Sequence, residues 1–193
     1  VGGTLIPNSL AILSEVYDGR PPCNYCNACA HGCPLGDKGS ADVTFFPAAR
    51  ATGRLDLRTN ARAVQVEVDR AGKASGVLYR DAHDDIHRVR ARFVLLAGGA
   101  IETPRLLLLS TSGLFPHGLA NNSGQVGQHL TELLYWFSVG LLSERVDAHR
   151  GVPIDGTAWD FAIPQARPQG YVGGFRLSTA HGAAGLRGPV AYA

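Results

Sequence analysis

The sequence predicts an α/β protein with a doubly wound sheet, and three stretches of the chain support this fold class. Ala63–Val68 alternates apolar and polar side chains in strand fashion, and two further strands follow in KASGVLYRDAHDDIHRVRARFVLLAGG. Phe93–Ala97 is continuously apolar, which is typical of a strand covered on both faces of a parallel sheet. It leads through Gly98–Gly99 into AIETPRLLLLST, which has the pattern of a helix. Strand, glycine turn and helix form the βα unit of such a fold, and ligands bind at that turn.

The elements around this unit follow from local signals. The three strands from Ala63 onward predict a meander whose second turn is Ala82–Asp85, a polar hairpin tip to which we assign no chemistry. In the helix after the glycine turn, Thr103 is the expected N-cap and Pro104 the first helical residue. A shorter helix is expected around Thr44–Thr52.

The composition excludes several classes of function. The 193 residues carry a net charge of only +2 with no Lys/Arg run, so we expect no nucleic-acid partner. Glu102, Pro104 and Arg105 interrupt the longest apolar stretch, and we expect no membrane span. The chain has no methionine and starts at Val1, which we interpret as a segment of a longer protein.

All the cysteines lie in CNYCNACAHGCP, as Cys23, Cys26, Cys29 and Cys33. Disulfides within so short a run would stabilise a fold of this size very little. Zinc sites usually use two pairs of ligands separated by a longer spacer, which is absent here.

The spacing of the cysteines and the proline that follows them are those of a ferredoxin that holds an iron–sulfur cluster. In ferredoxins the fourth cysteine of a run often ligates a second cluster. This chain has no second run. The run therefore predicts one cluster. If only three of its thiolates converge, we expect a three-iron cluster, or a four-iron cluster with a fourth ligand from elsewhere.

Other catalytic motifs are absent from the sequence. No G-x-G-x-x-G fingerprint, P-loop, G-x-S-x-G or H-E-x-x-H is present. The scattered histidines form no credible acid–base pair, so we assign no catalytic residue.

Four stretches in order resemble the glucose–methanol–choline (GMC) flavin-dependent oxidoreductases: YDGRPPC with CPLG, TFFPAARATGRLDLRTNARAVQVEVD, FVLLAGGAIETPRLLLLS and GLANNSGQVGQHL. The order and spacing are similar to those of the branch that contains the catalytic subunits of FAD-dependent glucose, gluconate and fructose dehydrogenases. The resemblance covers about residues 14–140.

The resemblance implies a ligand set for the cluster. In the glucose dehydrogenase branch a three-iron cluster is held by three cysteines spaced by five and then three residues, and Cys23, Cys29 and Cys33 reproduce that spacing. Cys26 is the extra thiol. It either completes a four-iron site or remains free, and we favour the three-iron form.

The resemblance also implies how FAD is held. The stretch that matches Ala63–Val64 passes the adenine with its backbone polar groups. The turn that matches Ala97, Gly98 and Gly99 packs near the diphosphate and the adenosine. Glycines allow such a close approach, and a helix N-terminus near Thr103 favours the negative charge.

The implied fold is part of a two-lobed, Rossmann-like FAD-binding domain with an inserted β-meander. We expect it to span residues 1–142, including a cluster loop at about 21–40, and a mixed α+β substrate domain to begin at 143–193. The fingerprint and the catalytic histidine of the family would lie outside this chain, so we expect the segment alone to be inactive.

The predicted function is that of an FAD-dependent sugar or alcohol dehydrogenase that passes electrons through the cluster to a cytochrome or quinone. The implied partners are a small chaperone-like subunit and a cytochrome c subunit, with membrane association only through a partner and a periplasmic location. The alternatives are a ferredoxin-like electron-transfer protein without flavin, and a GMC alcohol oxidase whose cysteines are structural or bind zinc.

Overall fold

The computed structural model describes residues 3–136, 138, 143–144, 151–162 and 174–179. The chain forms two compact units, one from Val1–Leu55 with Val139–Ala193 and the other from Asp56–Ser138. The predicted boundary near residue 142 stays a prediction, because much of the segment beyond it lies outside the described residues. No helix in the described ranges is long and apolar enough to cross a membrane.

The described residues of the first unit contain a small antiparallel sheet and one short helix. Strand β1 (Ile6–Pro7) pairs with β5 (Gly156–Ala158), which pairs in turn with β6 (Leu177–Ser178). Helix α1 (Phe45–Ala51) confirms the helix predicted around Thr44–Thr52. The cysteine run, residues 23–34, contains no helix or extended strand.

The second unit contains the predicted meander. Strands β2 (Arg62–Val68), β3 (Ala74–Arg80) and β4 (Ile86–Arg90) form an antiparallel sheet in the order β2-β3-β4. The hairpin turn between β3 and β4 lies where it was predicted, around Ala82–Asp85. The side chain of Asp81 stabilises it by accepting hydrogen bonds from the backbone N–H groups of His83 and Asp85. The periodicity and the turn residues were therefore sufficient to predict this part of the fold.

Helix α2 (Gly99–Leu109) packs against β2 and confirms the predicted helix. Its start differs from the expectation. Gly98 is the N-cap, Thr103 lies inside the helix, and Pro104 is also internal. Gly99 has a φ of +81°, a conformation that glycine adopts readily, and the helix begins there, four residues before Thr103.

The strand predicted at Phe93–Ala97 is wrong for this structure. The segment has no strand structure, and Phe93 and Leu95 are about nine-tenths exposed, at 89% and 92%. A strand buried on both faces needs neighbouring strands, and both sheets of the described residues are antiparallel and do not include it. The doubly wound parallel sheet is therefore not seen here, although helix and strand are both present.

Candidate functional site

The cysteine loop is closed at its base by one short stretch of chain. The N–H of Cys23 donates to the carbonyl of Leu13 at 2.9 Å, and the N–H of Gly39 donates to the carbonyl of Ala11 at 2.6 Å. Both ends of the loop are thus anchored to residues 11–13. Pro21 and Pro22 cannot donate backbone hydrogen bonds and lead into Cys23 without regular structure.

Inside the loop the backbone turns repeatedly through left-handed conformations. Tyr25 and Asn27 have φ values of +57° and +58°, and Gly32 has +105°. The N–H of Cys26 donates to the side chain of Asn24 at 3.2 Å. Such turns curl a short segment tightly, and a tyrosine held in this region stores strain that the surroundings must offset.

The four cysteines are free thiols and differ in exposure. Cys23, Cys29 and Cys33 are half-buried, whereas Cys26 is exposed. Cys26 also lies on an isolated parallel bridge to Gly151. Which of these thiols bind a cluster stays a prediction, but their surroundings divide them into the same three-plus-one grouping.

Asp37 lies against this group, and the sequence reasoning missed it. The residue is only 3% exposed, and its Oδ1 accepts a hydrogen bond from the thiol of Cys33. The thiols of Cys23 and Cys33 hold the pKa of this carboxyl below its ordinary range. The sequence does show an acidic residue four positions after the last cysteine, but a charged residue after Gly36 looks like an exposed turn.

Two of the thiols, those of Cys23 and Cys29, have raised pKa values. Burial and the neighbouring Asp37 raise the pKa of Cys23 from its ordinary value of 9.0 to about 11. Burial, and then the proximity of Cys33, raise the pKa of Cys29. Metal ligands must be thiolates, so metal binding to this loop would have to displace protons.

Two buried side chains of the loop have unsatisfied polar atoms. Both amide atoms of Asn27, which is 4% exposed, and Oδ2 of Asp37 have no hydrogen-bond partner within the described part of the chain. Such atoms are rare in folded proteins and call for an explanation. No three His, Cys, Asp or Glu side chains of the described residues converge as the ligands of one metal ion. The metal-binding role of the cysteine loop therefore stays a prediction.

The glycine turn brings together three of the residues assigned to FAD. A side chain at Gly98 would meet the backbone nitrogen and the hydroxyl of Thr103, each at 3.3 Å, whereas the space around Gly99 is open. The N-terminus of α2 has no side-chain cap, so its first N–H groups are available to an anion. Glu102 in the first turn opposes an anion, but Arg105 pairs with it at 2.9 Å.

Ala63 and Val64 lie elsewhere in the same unit. Ala63 pairs with Tyr79 and Gln65 pairs with Leu78, so Val64 is the extra residue of a β-bulge and has no cross-strand partner. The strand contacts the end of α2 through Gln65, whose amide donates to the carbonyl of Thr111 at 3.2 Å. This contact is at the opposite end of α2 from Gly99.

A sequence model of one protein family, described as GMC oxidoreductase, matches residues 12–134. Several of the similar curated proteins have named activities, and three of them are described. The 6'''-hydroxyparomomycin C oxidase of Streptomyces lividus is 36% identical over 77% of this chain and 27% of its own length. The 2-methyl-1,2-propanediol dehydrogenase of Mycolicibacterium austroafricanum is 33% identical over 75% of this chain and 26% of its own length.

The fructose dehydrogenase large subunit of Gluconobacter japonicus is 33% identical over 62% of this chain and 22% of its own length. The chain thus spans about a quarter of the length of these curated relatives. The names of all three relatives describe oxidation chemistry.

Proposed function

The chain belongs to the GMC oxidoreductase family, and from this premise we propose that the intact protein is an FAD-dependent dehydrogenase that oxidises the CH–OH group of a sugar or alcohol. The family match includes the cysteine loop, the meander and α2. Relatives named for fructose, gluconate and a propanediol support a small hydroxylated substrate.

The uncapped N-terminus of α2 is the observation that carries the FAD proposal. Gly98 and Gly99 leave its N–H groups accessible, and these groups would bind the diphosphate. The unpaired Val64 and the preceding Ala63 would offer backbone polar groups to the adenine. When bound, FAD would accept the hydride from the alcohol carbon and an iron–sulfur cluster would pass the electrons on singly.

The cysteine loop would hold that cluster through Cys23, Cys29 and Cys33. Support comes from their half-buried thiols and from the orphaned polar atoms of Asn27 and Asp37, which indicate a loop that is not satisfied by its own contacts. We further propose that the electrons leave to a cytochrome c subunit or a quinone, and that a small chaperone-like subunit accompanies the protein in the periplasm. The relative named as a large subunit supports subunit partners.

A charge substitution at Gly99 tests the FAD proposal in the intact protein. Gly99→Asp and Gly99→Asn have side chains of equal size, and both residue types tolerate a positive φ. The aspartate stabilises a helix N-terminus but repels a diphosphate. We expect Gly99→Asp to lose most of its bound flavin and Gly99→Asn to retain more, as measured by flavin absorbance per chain. Equal flavin content in the two variants would count against diphosphate binding at this turn.

Metal and flavin analysis of the intact protein separates the remaining candidates. About three irons per chain together with flavin would support the proposed dehydrogenase. Iron without flavin would favour a ferredoxin-like electron-transfer protein. Zinc without iron would contradict the proposed iron–sulfur cluster.

A GMC alcohol oxidase with structural cysteines is the second candidate, and the relative named as an oxidase favours it. An oxidase would consume oxygen with its substrate, whereas the proposed dehydrogenase would reduce an artificial one-electron acceptor with little oxygen uptake.

A further inference from the structure

We propose that the open edge of strand β4 (Ile86–Arg90) is a docking site for an extended, acidic segment of a partner protein, which pairs with it in antiparallel fashion. The proposed site consists only of meander residues and requires neither the flavin nor the iron of the proposed function.

One edge of β4 is unpaired within the described residues, where the strand pairs only with β3. The N–H of Ala91 donates to the carbonyl of Ser75 at 3.0 Å, and at the other end the N–H of Asp81 donates to the carbonyl of Asp85 at 3.1 Å. Backbone hydrogen bonding alternates along an antiparallel pair. The odd-numbered residues between these two bonds therefore face β3, and the even-numbered ones direct their N–H and C=O groups at the open edge.

Arginines occupy the positions that face this open edge. Arg88 and Arg90 are exposed, and Arg92 follows at the same spacing. Side chains alternate between the two faces of a strand. The register places Val66 level with Val77 and Val89, so Arg88 and Arg90 lie on the face opposite the buried Val66.

Most of this positive charge is not neutralised. Arg88 pairs with Glu67 at 2.8 Å. No ion pair of the described residues involves Arg90 or Arg92. The acidic residues of the hairpin tip lie at the other end of β4, so the positive charge is concentrated toward Arg90.

An acidic strand satisfies the backbone and the charge of this edge together. It would form main-chain hydrogen bonds with the open N–H and C=O groups. Its residues directly opposite Arg88 and Arg90 would place their side chains on the same face about 5 Å away, where opposite charges attract. Carboxylates fit these positions, and apolar side chains fit between them, beside Val89.

A second copy of β4 is a poorer occupant of the same edge. Pairing two copies would bring arginines beside arginines, and like charges directly opposite each other destabilise a sheet. The charge that disfavours self-pairing thus favours an acidic partner.

Two N-methylated peptides test this pairing on the intact protein. The probe is a short fluorescent peptide of alternating glutamate and valine, whose binding is measured by fluorescence anisotropy. Glutamates opposite Arg88 and Arg90 direct their N–H groups at β4, whereas the valine N–H groups point away. N-methylation of the glutamates should weaken binding at least about tenfold, and N-methylation of the valines should change it by less than about twofold.

A matched pair of arginine variants tests the charge. Arg90→Gln should weaken binding of the unmethylated peptide by about two- to fivefold. Arg62→Gln is the control, because it makes the same charge change on the same face but two strands away from the edge, at about 10 Å. Its effect should be smaller, and the difference between the variants should shrink as the salt concentration rises.

Each part of the test can overturn the proposal. Failure of the intact protein to bind the unmethylated peptide would show that this edge is covered. Similar affinities of the two methylated peptides, or weaker binding of the valine-methylated one, would exclude antiparallel pairing. Equal effects of Arg90→Gln and Arg62→Gln would show attraction to the whole face. A dimer that the peptide dissociates, seen by analytical ultracentrifugation, would show that a second copy occupies the edge.

Discussion

The hydroxyl of Ser110 accepts a hydrogen bond from the backbone N–H of Val66 at 2.8 Å and donates one to the carbonyl of Leu106 at 2.6 Å. Ser110 is 1% exposed and Val66 is 5% exposed. β2 is the edge strand of the meander, and the sheet does not pair the N–H of Val66. The hydroxyl of Ser110 therefore joins the end of α2 to this N–H.

Removal of this hydroxyl should destabilise the protein. Ser110→Ala leaves the buried N–H of Val66 without a partner, which we expect to lower the free energy of unfolding by about 1–3 kcal/mol. Thr111→Ala, at the exposed neighbouring position, is the matched control and should change it by less than about 0.5 kcal/mol. Urea unfolding measures both variants. A loss for Ser110→Ala no larger than the control's would show that water satisfies the N–H.

Gly118 should tolerate no side chain. Its φ is +91°, and a Cβ there would meet Cα of Leu108 at 2.7 Å and the carbonyl oxygen of Leu107 at 2.8 Å. We expect Gly118→Ala to cost about 1–3 kcal/mol from backbone strain, with the clash added to it. Gly113 has open space around it, so Gly113→Ala is the control and should be nearly neutral. Thermal unfolding of the two variants compares them directly.

The thiols should differ in reactivity in the metal-free protein. Cys26 is exposed, whereas Cys23 is half-buried with a pKa of about 11. Because the thiolate is the reactive form, we expect iodoacetamide near neutral pH to modify Cys26 well before Cys23. Peptide mass spectrometry over time measures both rates. The difference should shrink as the pH approaches 11, and equal rates at neutral pH would contradict the burial of Cys23.

The pH response of the meander should depend on one pair of side chains. The ring of His87 contacts the carboxylate of Asp81 at 2.7 Å, and this hydrogen bond lowers the pKa of Asp81. A lowered carboxyl pKa stabilises the folded protein at pH values above 3.8, the ordinary pKa of the group. This stabilisation is lost as the pH falls below 3.8. We expect His87→Ala to raise the Asp81 pKa toward 3.8, as followed by nuclear magnetic resonance titration. An unchanged titration would show that backbone N–H groups alone set this pKa.

The structure of the Val64 bulge shows where prediction from the sequence reached its limit. The alternation around Val64 predicts a strand, and the strand is there. The extra residue that leaves Val64 unpaired depends on how β3 lies beside it, and no pattern in Ala63–Val68 carries that information.

The sequence by itself determined the features that rest on short-range physics: the meander and its hairpin tip, the helix from AIETPRLLLL, and the grouping of four thiols in one loop. Side-chain periodicity, turn residues and covalent spacing act within a few residues, so these features can be predicted from the sequence alone. Only the tertiary structure decided that Phe93–Ala97 lies exposed and that Asp37 lies buried among the thiols. Burial and strand pairing depend on contacts between segments that are distant in the sequence, so only the folded structure shows them.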